Sequence, residues 1–217
     1  LAAGFTMLYP MTAYSLGWLA GKMGDEGLRN EWYGQGRQAA PYYCFPWRLE
    51  ELTVLEDVLR CNPNDARAAY YLGNLLCDKQ RCVEAVALWK QAVRIDESYS
   101  VPWRNLGLAA YNLDKDLDRA LETYGRALTA DPADPRLLLE YESLLRRKAV
   151  PPEEILALFE AKRVVVSLRD DLTIRLMELY NRTGQPEKTL EIAGSRFFHA
   201  WEGGEGLVSG AFANAHW

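Results

Sequence analysis

The chain has 217 residues, 49% hydrophobic and 25% charged, with a net charge of -5 and both signs interspersed. That composition supplies a sizeable core, in one or two domains or in a repeat array whose length counts repeats. It contains no concentrated basic face, which excludes nucleic acid as an expected partner.

Leu1 to Gly21 carries no charge. Pro10, the polar Thr6, Thr12 and Ser15, and the lack of a basic segment argue against a membrane span or secretory signal. The expectation is a helix from Met11 to Met23, buried on one side by a later helix and on the other by sequence outside the chain. The missing initial Met points the same way. Gly24-Asp25 reads as a turn, and Glu26 to Ala39 as a second helix with Leu28, Trp32 and Tyr33 inward. Gly34 and Gly36 each weaken that helix by about 1 kcal/mol. Pro41 to Trp47 holds two prolines and cannot be helical; its four aromatics predict a packed connector. Arg48 to Arg60 is a helix with Leu52, Leu55, Val58 and Leu59 inward. Asn62-Pro63-Asn64-Asp65 stops it and caps the next helix.

A pattern then appears twice, from Ala66 to Ala130. Leu72-Gly73 and Leu106-Gly107 are 34 residues apart, the period of a repeating helix–turn–helix unit. Helices are expected over Ala66 to Cys77, Arg81 to Ile95, Ser100 to Asn112 and Asp116 to Thr129. Gly73, Gly107, Ala85, Ala92, Ala120 and Ala127 sit where helices cross closely, with Leu72, Trp89, Trp103, Leu106 and Tyr124 filling the space around them. Worn pairs follow: Leu137 to Lys148 with Glu153 to Val166, then Asp171 to Arg182 with Pro186 to Ala193. In the first of these Tyr141, Leu145, Leu156, Phe159 and Ala161 point inward. The predicted units are 11–40, 48–60, 66–99, 100–132, 135–166 and 169–194 within one array. A glycine-rich turn and the start of a further helix occupy 195–217.

Cys44, Cys61, Cys77 and Cys82 lie at spacings of 17, 16 and 5. These match no metal framework and read as reduced packing thiols, which suits a cytoplasmic setting. No phosphate loop, Ser-His-Asp arrangement or HExxH is present, and neither a metal nor a cofactor is expected.

The two central units resemble tetratricopeptide repeats. The first matches at Ala69, Leu72, Gly73, Leu76, Ala85, Trp89 and Ala92. The second matches at Trp103, Leu106, Gly107 and Ala110 and, after a one-residue insertion, at Ala120, Tyr124, Ala127 and Pro132. Ala69 replaces the usual Trp and Glu97 the usual Pro. The resemblance implies an all-α fold, a right-handed α-α superhelix of antiparallel helix pairs. The whole chain also resembles the C-terminal repeat region of large bacterial proteins of unknown function that carry a galactose-mutarotase-like β-sandwich part. Tyr43-Cys44-Phe45-Pro46, Tyr70-Tyr71-Leu72-Gly73-Asn74, Trp103-Arg104-Asn105-Leu106-Gly107, Arg169-Asp170-Asp171-Leu172 and Trp201-Glu202-Gly203-Gly204-Glu205-Gly206 carry that likeness.

Tetratricopeptide arrays bind along the face lined by the first helix of each pair. Here that face is expected to present Arg67, Tyr70, Tyr71, Asn74 and Asp78, then Arg104, Asn105, Leu108, Tyr111 and Asn112, a groove for an extended peptide or helix. A carboxylate clamp matches at Asn74, Asn105 and Arg136 but has Tyr70 and Glu140 where cations are needed. The secondary candidates are His199, Trp201, Glu202 and Glu205, as an acid/base pair, a sugar platform or a structural elbow. Arg169-Asp170-Asp171 reads as a helix N-terminus rather than a metal site. The expected role is a non-enzymatic scaffold for a protein or peptide partner, or for another domain of the same chain. Neither nucleic acid nor membrane is an expected partner, and the apolar ends are suited to homo-association. The alternative is an accessory part of a carbohydrate-active enzyme, with Glu202 and Glu205 reaching its site.

Overall fold

The computed structural model describes residues 8–41, 43–199 and 206–215. Among them the chain is all helical, with α1 (Pro10–Lys22), α2 (Glu26–Gln38), α3 (Leu49–Cys61), α4 (Ala66–Asp78), α5 (Cys82–Ile95), α6 (Ser100–Asn112) and α7 (Leu117–Ala130). They are followed by α8 (Pro135–Arg147), α9 (Pro152–Ala161), α10 (Arg163–Val166), α11 (Asp170–Arg182), α12 (Pro186–Ser195) and α13 (Leu207–Asn214). The fold is an α-solenoid of tetratricopeptide type. Packing groups the chain into two compact units, Leu1–Ala109 and Ala110–Trp217.

Four helix starts, those of α2, α4, α7 and α8, are set by short acidic side chains. Asp25, Asp65, Asp116 and Asp134 accept from the backbone N–H groups of Leu28, Ala68, Arg119 and Arg136 at 2.8–3.0 Å, filling donors that the first turn leaves open. The turn inside each pair has one geometry. Gly24, Gln80, Lys115, Ala149 and Gly184 all take φ between 57° and 83°. The next residue then donates back into the preceding helix: Asp25 to Ala20, Arg81 to Leu76, Asp116 to Ala110, Val150 to Leu145 and Gln185 to Tyr180, at 2.8–3.1 Å. This is a Schellman-type closure, repeated even where the sequence pattern has worn away.

In the first unit α1 packs on α2 through a reciprocal pair of glycines. A Cβ on Gly17 would lie 2.4 Å from the Tyr33 ring, and one on Gly36 would lie 2.8 Å from the Tyr14 ring. Gly36 is therefore required by packing, while nothing lies near Gly34. Tyr14 donates to the buried Asp65 at 3.1 Å and Tyr33 to Asp57 at 2.6 Å, joining this pair to α3 and α4. Gly73 makes the same close approach to Trp89 of α5.

In the second unit Tyr124 of α7 donates to Glu140 of α8 at 2.8 Å. Leu137, Leu138, Ile155, Phe159, Leu172, Ile174, Leu176 and Met177 form its interior. Thr189 of α12 is buried and donates to the Met177 carbonyl at 2.9 Å, and Asn181 holds α13 through the Ala211 carbonyl at 2.8 Å.

Three expectations are corrected. The connector is not packed throughout: after a turn at Tyr43, closed by the Cys44 N–H on the Pro41 carbonyl at 3.3 Å, burial alternates, with Cys44 and Pro46 buried and Tyr43, Phe45 and Trp47 exposed. Leu28 and Ala161 face outward. The helix expected to run to Val166 breaks at Lys162, where φ is -110° and ψ 28°, giving α9 and α10. In α1 the face holding Met11, Ala13, Tyr14, Gly17 and Ala20 is buried, and Leu16 and Leu19 on its other side are exposed. No described helix is long and apolar enough to cross a membrane.

Candidate functional site

Counting from the first residue of α4, α6, α8 and α11, the fifth and ninth places are Tyr70 and Asn74, Arg104 and Leu108, Leu139 and Ser143, Ile174 and Glu178. Residues 4 apart stand one above the other on a helix. These places therefore mark one stripe on the first helix of each pair, and what covers the stripe differs between units.

In the first unit Tyr70 of the stripe is interior and Asn74, Arg104 and Leu108 are half-buried. Tyr70 and Tyr71 are buried in the core, a correction of their expected place in an open groove. Tyr70 stacks on Tyr71 and Tyr99 with ring centroids 5.4 and 5.0 Å away. Arg67 lies 3.7 Å over the Tyr99 ring. Asn74 accepts from the Trp89 indole at 3.1 Å and from Asn105 at 2.9 Å, so the two asparagines tie α4, α5 and α6 together. Arg104 and Leu108 are half-buried, and Asp78 is exposed and pairs with Lys79 at 2.7 Å. Tyr111 and Asn112 belong to the second unit, where the Arg147 guanidinium sits 5.4 Å from the Tyr111 ring and Asn112 is exposed.

In the second unit the stripe opens into a cleft of about 290 Å³ between α8, α11 and α13, lined by Leu139, Ser143, Asp171, Ile174, Arg175, Glu178 and Leu207. Apart from Asp171, weighed only as part of a helix N-terminus, none of these lining residues stood among the sequence candidates. The signal was available, because Leu139, Ser143, Ile174 and Glu178 hold the stripe positions already used for α4 and α6. Beneath the cleft Glu142 is fully buried, at the eighth helix place, where α4 and α6 have Gly73 and Gly107. It pairs with Arg146, which also reaches Glu178 at 2.6 Å. Burial alone would lower the pKa of Arg146, but Glu178 and Glu142 more than reverse this and hold it protonated. Arg175 stands 3.6 Å from Glu178 and 4.0 Å from Glu142, too long for direct hydrogen bonds. It lines the cleft together with Glu178.

Of the secondary candidates, Trp201, Glu202 and Glu205 lie outside the described residues. His199 is exposed but anchored. Its backbone N–H donates to Asp170 at 2.8 Å, and its Nδ1 lies 3.0 Å from the same oxygen. Arg196 donates to the other Asp170 oxygen at 2.6 Å and to the Ser167 carbonyl at 2.9 Å. Burial of Asp170 would raise its pKa, but these hydrogen bonds outweigh it and hold the carboxyl below its usual range. Asp170 and Asp171 open α11, as the Arg169-Asp170-Asp171 reading expects; the clasp on Arg196 and His199 was not foreseen. No group of three or more potential metal-ligating side chains converges among the described residues.

No family model matches the chain. Among solved structures it is similar to a crystal structure of MamA protein, at 14% identity and TM-score 0.51, covering 88% of this chain and 97% of that one. A second MamA crystal structure matches at 14% identity and TM-score 0.50, covering 93% and 92%. A chain in the structure of Naa15/Naa10 bound to HypK-THB matches at 18% identity and TM-score 0.51 over 87% of this chain, which spans 25% of that chain's length. At these identities the likeness establishes the fold.

Proposed function

We propose that the chain is a non-enzymatic scaffold that binds a protein segment, an extended peptide or a helix, along the first helices of its repeat pairs. The observation that carries this reading is the cleft between α8, α11 and α13. It combines the apolar Leu139, Ile174 and Leu207 with Ser143 and the charged Asp171, Arg175 and Glu178. Apolar anchors beside oriented polar groups are what a helix-in-groove or extended-peptide partner uses. The similar fold in Naa15/Naa10, solved with HypK-THB bound, is in keeping with a protein partner. In the first unit Arg104 and Leu108 remain in the proposed binding surface, whereas Tyr70 and Tyr71 are withdrawn from it.

The test is selection of peptides from a displayed library against the whole chain, followed by affinity measurement on the selected peptide. Ser143→Arg and Leu139→Glu place bulk or charge in the cleft and should each weaken binding at least about tenfold, the effect of removing one good anchor. Undiminished affinity in both folded variants would remove the cleft as the site.

A further inference from the structure

Two free cysteines meet across one turn of the first unit. Cys77 stands in the last turn of α4 and Cys82 opens α5, and both are half-buried. Between them Gln80 takes the left-handed conformation, with its N–H on the Cys77 carbonyl at 3.0 Å and the Arg81 N–H on the Leu76 carbonyl at 2.8 Å. Below the turn the two helices are locked by the close approach of Gly73 to Trp89. The hairpin therefore holds both residues in place, and the Cys77 thiol has that of Cys82 as its hydrogen-bond partner.

Turn closure does not call for this pair. Three places before and two after the left-handed residue, the turns at Gly24, Lys115, Ala149 and Gly184 carry no cysteine. Of the remaining thiols Cys44 is buried, and Cys61 is turned to Asp57 at 3.8 Å. Two thiols in contact are what thiol–disulfide exchange requires, because the first sulfur to react becomes the electrophile for the second. Burial raises the Cys77 thiol, and the Cys82 sulfur and Asp78 add to this, so Cys82 reacts first.

We propose that Cys77 and Cys82 are a redox modification site, converted by a small disulfide such as oxidised glutathione into an intramolecular disulfide across the α4–α5 turn. Cys82 releases its proton to solvent, and its thiolate attacks one sulfur of the glutathione disulfide. The first glutathione leaves as a thiolate, and a mixed disulfide remains on Cys82. Cys77, deprotonated in turn, attacks the Cys82 sulfur and expels the second glutathione. The cysteine pair loses two electrons and the glutathione disulfide gains them, and excess reduced thiol reverses both steps. The new bond closes a loop over the turn and restricts the unfolded chain, so it stabilises the first unit.

The experiment incubates the folded whole chain with oxidised glutathione, blocks the remaining thiols by alkylation and maps the peptides by mass spectrometry. In wild type the peptides holding Cys77 and Cys82 should be joined, with the mass of two hydrogens lost and no glutathione retained. Cys77→Ser should stop at the mixed disulfide and keep one glutathione on Cys82. Thermal unfolding of oxidised wild type should show a midpoint about 4–8 °C above that of the reduced chain, a difference that Cys82→Ser should abolish. Alkylated thiols at both positions, or glutathione retained on wild-type Cys82, would overturn the proposal. An oxidised midpoint no higher than the reduced one would overturn it as well.

Discussion

A Cβ placed on Gly73 would stand 2.6 Å from the Trp89 indole nitrogen and 3.2 Å from the Ala85 carbonyl oxygen. Neither the indole, which donates to Asn74, nor the backbone of α5 can retreat without losing contacts. Gly73→Ala is therefore expected to destabilise by about 1–3 kcal/mol through overpacking, and Gly17→Ala by a similar amount against the Tyr33 ring and the Arg29 carbonyl. Gly34 provides the control: with nothing near its Cβ position, Gly34→Ala should stabilise by up to about 1 kcal/mol from helix propensity alone. Urea unfolding of the three variants measures the contrast, and equal effects at Gly34 and Gly73 would refute the packing argument. The need for a small residue at Gly73 was readable from the repeat. The equivalent need at Gly36 was not, because sequence distinguishes a helix-weakening glycine from a packing glycine only when the ring that faces it is known.

At the scale of elements, the turn inside each helix pair places one residue in the left-handed region, which costs a residue with a side chain about 1–2 kcal/mol relative to glycine. Gly24 and Gly184 meet this requirement, while Gln80, Lys115 and Ala149 bear the strain. Gln80→Gly and Ala149→Gly should each raise stability by up to about 1 kcal/mol, and Gly184→Ala should lower it by about the same amount. Differential scanning calorimetry would show midpoints moving in opposite directions, and a common direction would contradict the proposed strain. The cap from the Asn62–Asp65 stretch was legible in the sequence, since a short acid before an apolar-periodic run has a direct physical meaning; the same signal stands at Asp116 and Asp134, which read only as a helix start and a unit end. The break at Lys162 was not, because Glu153 to Val166 carries neither glycine nor proline in its interior.

Across the whole molecule, protection is expected to follow burial within each unit. α4 buries nine of its thirteen residues and α11 eight of thirteen, whereas α13 buries Ala211 alone. In a repeat array each element contacts mainly its neighbours, so stability is local rather than uniform. Hydrogen exchange followed by mass spectrometry should find the slowest amides in α4 and α11 and the fastest helical amides in α13. Uniform exchange along the chain would count against this distribution.

By itself the sequence determined the helix-pair architecture, the element order and most helix ends within one or two residues, and it singled out one face of α4 and α6. Those properties follow from local periodicity, residue size and capping chemistry. Tertiary structure alone decided which parts of that face are covered. A helical period names a face but not its neighbour. In the first unit Tyr99 and the inward Cys44 of the connector meet Tyr70 and Tyr71 and turn an expected groove into core. In the second, Leu139, Ser143 and Glu178 of the same register stay half-exposed above the buried Ile174, and Glu142 occupies the place of a crossing glycine with Arg146 paired to it and Arg175 4.0 Å away.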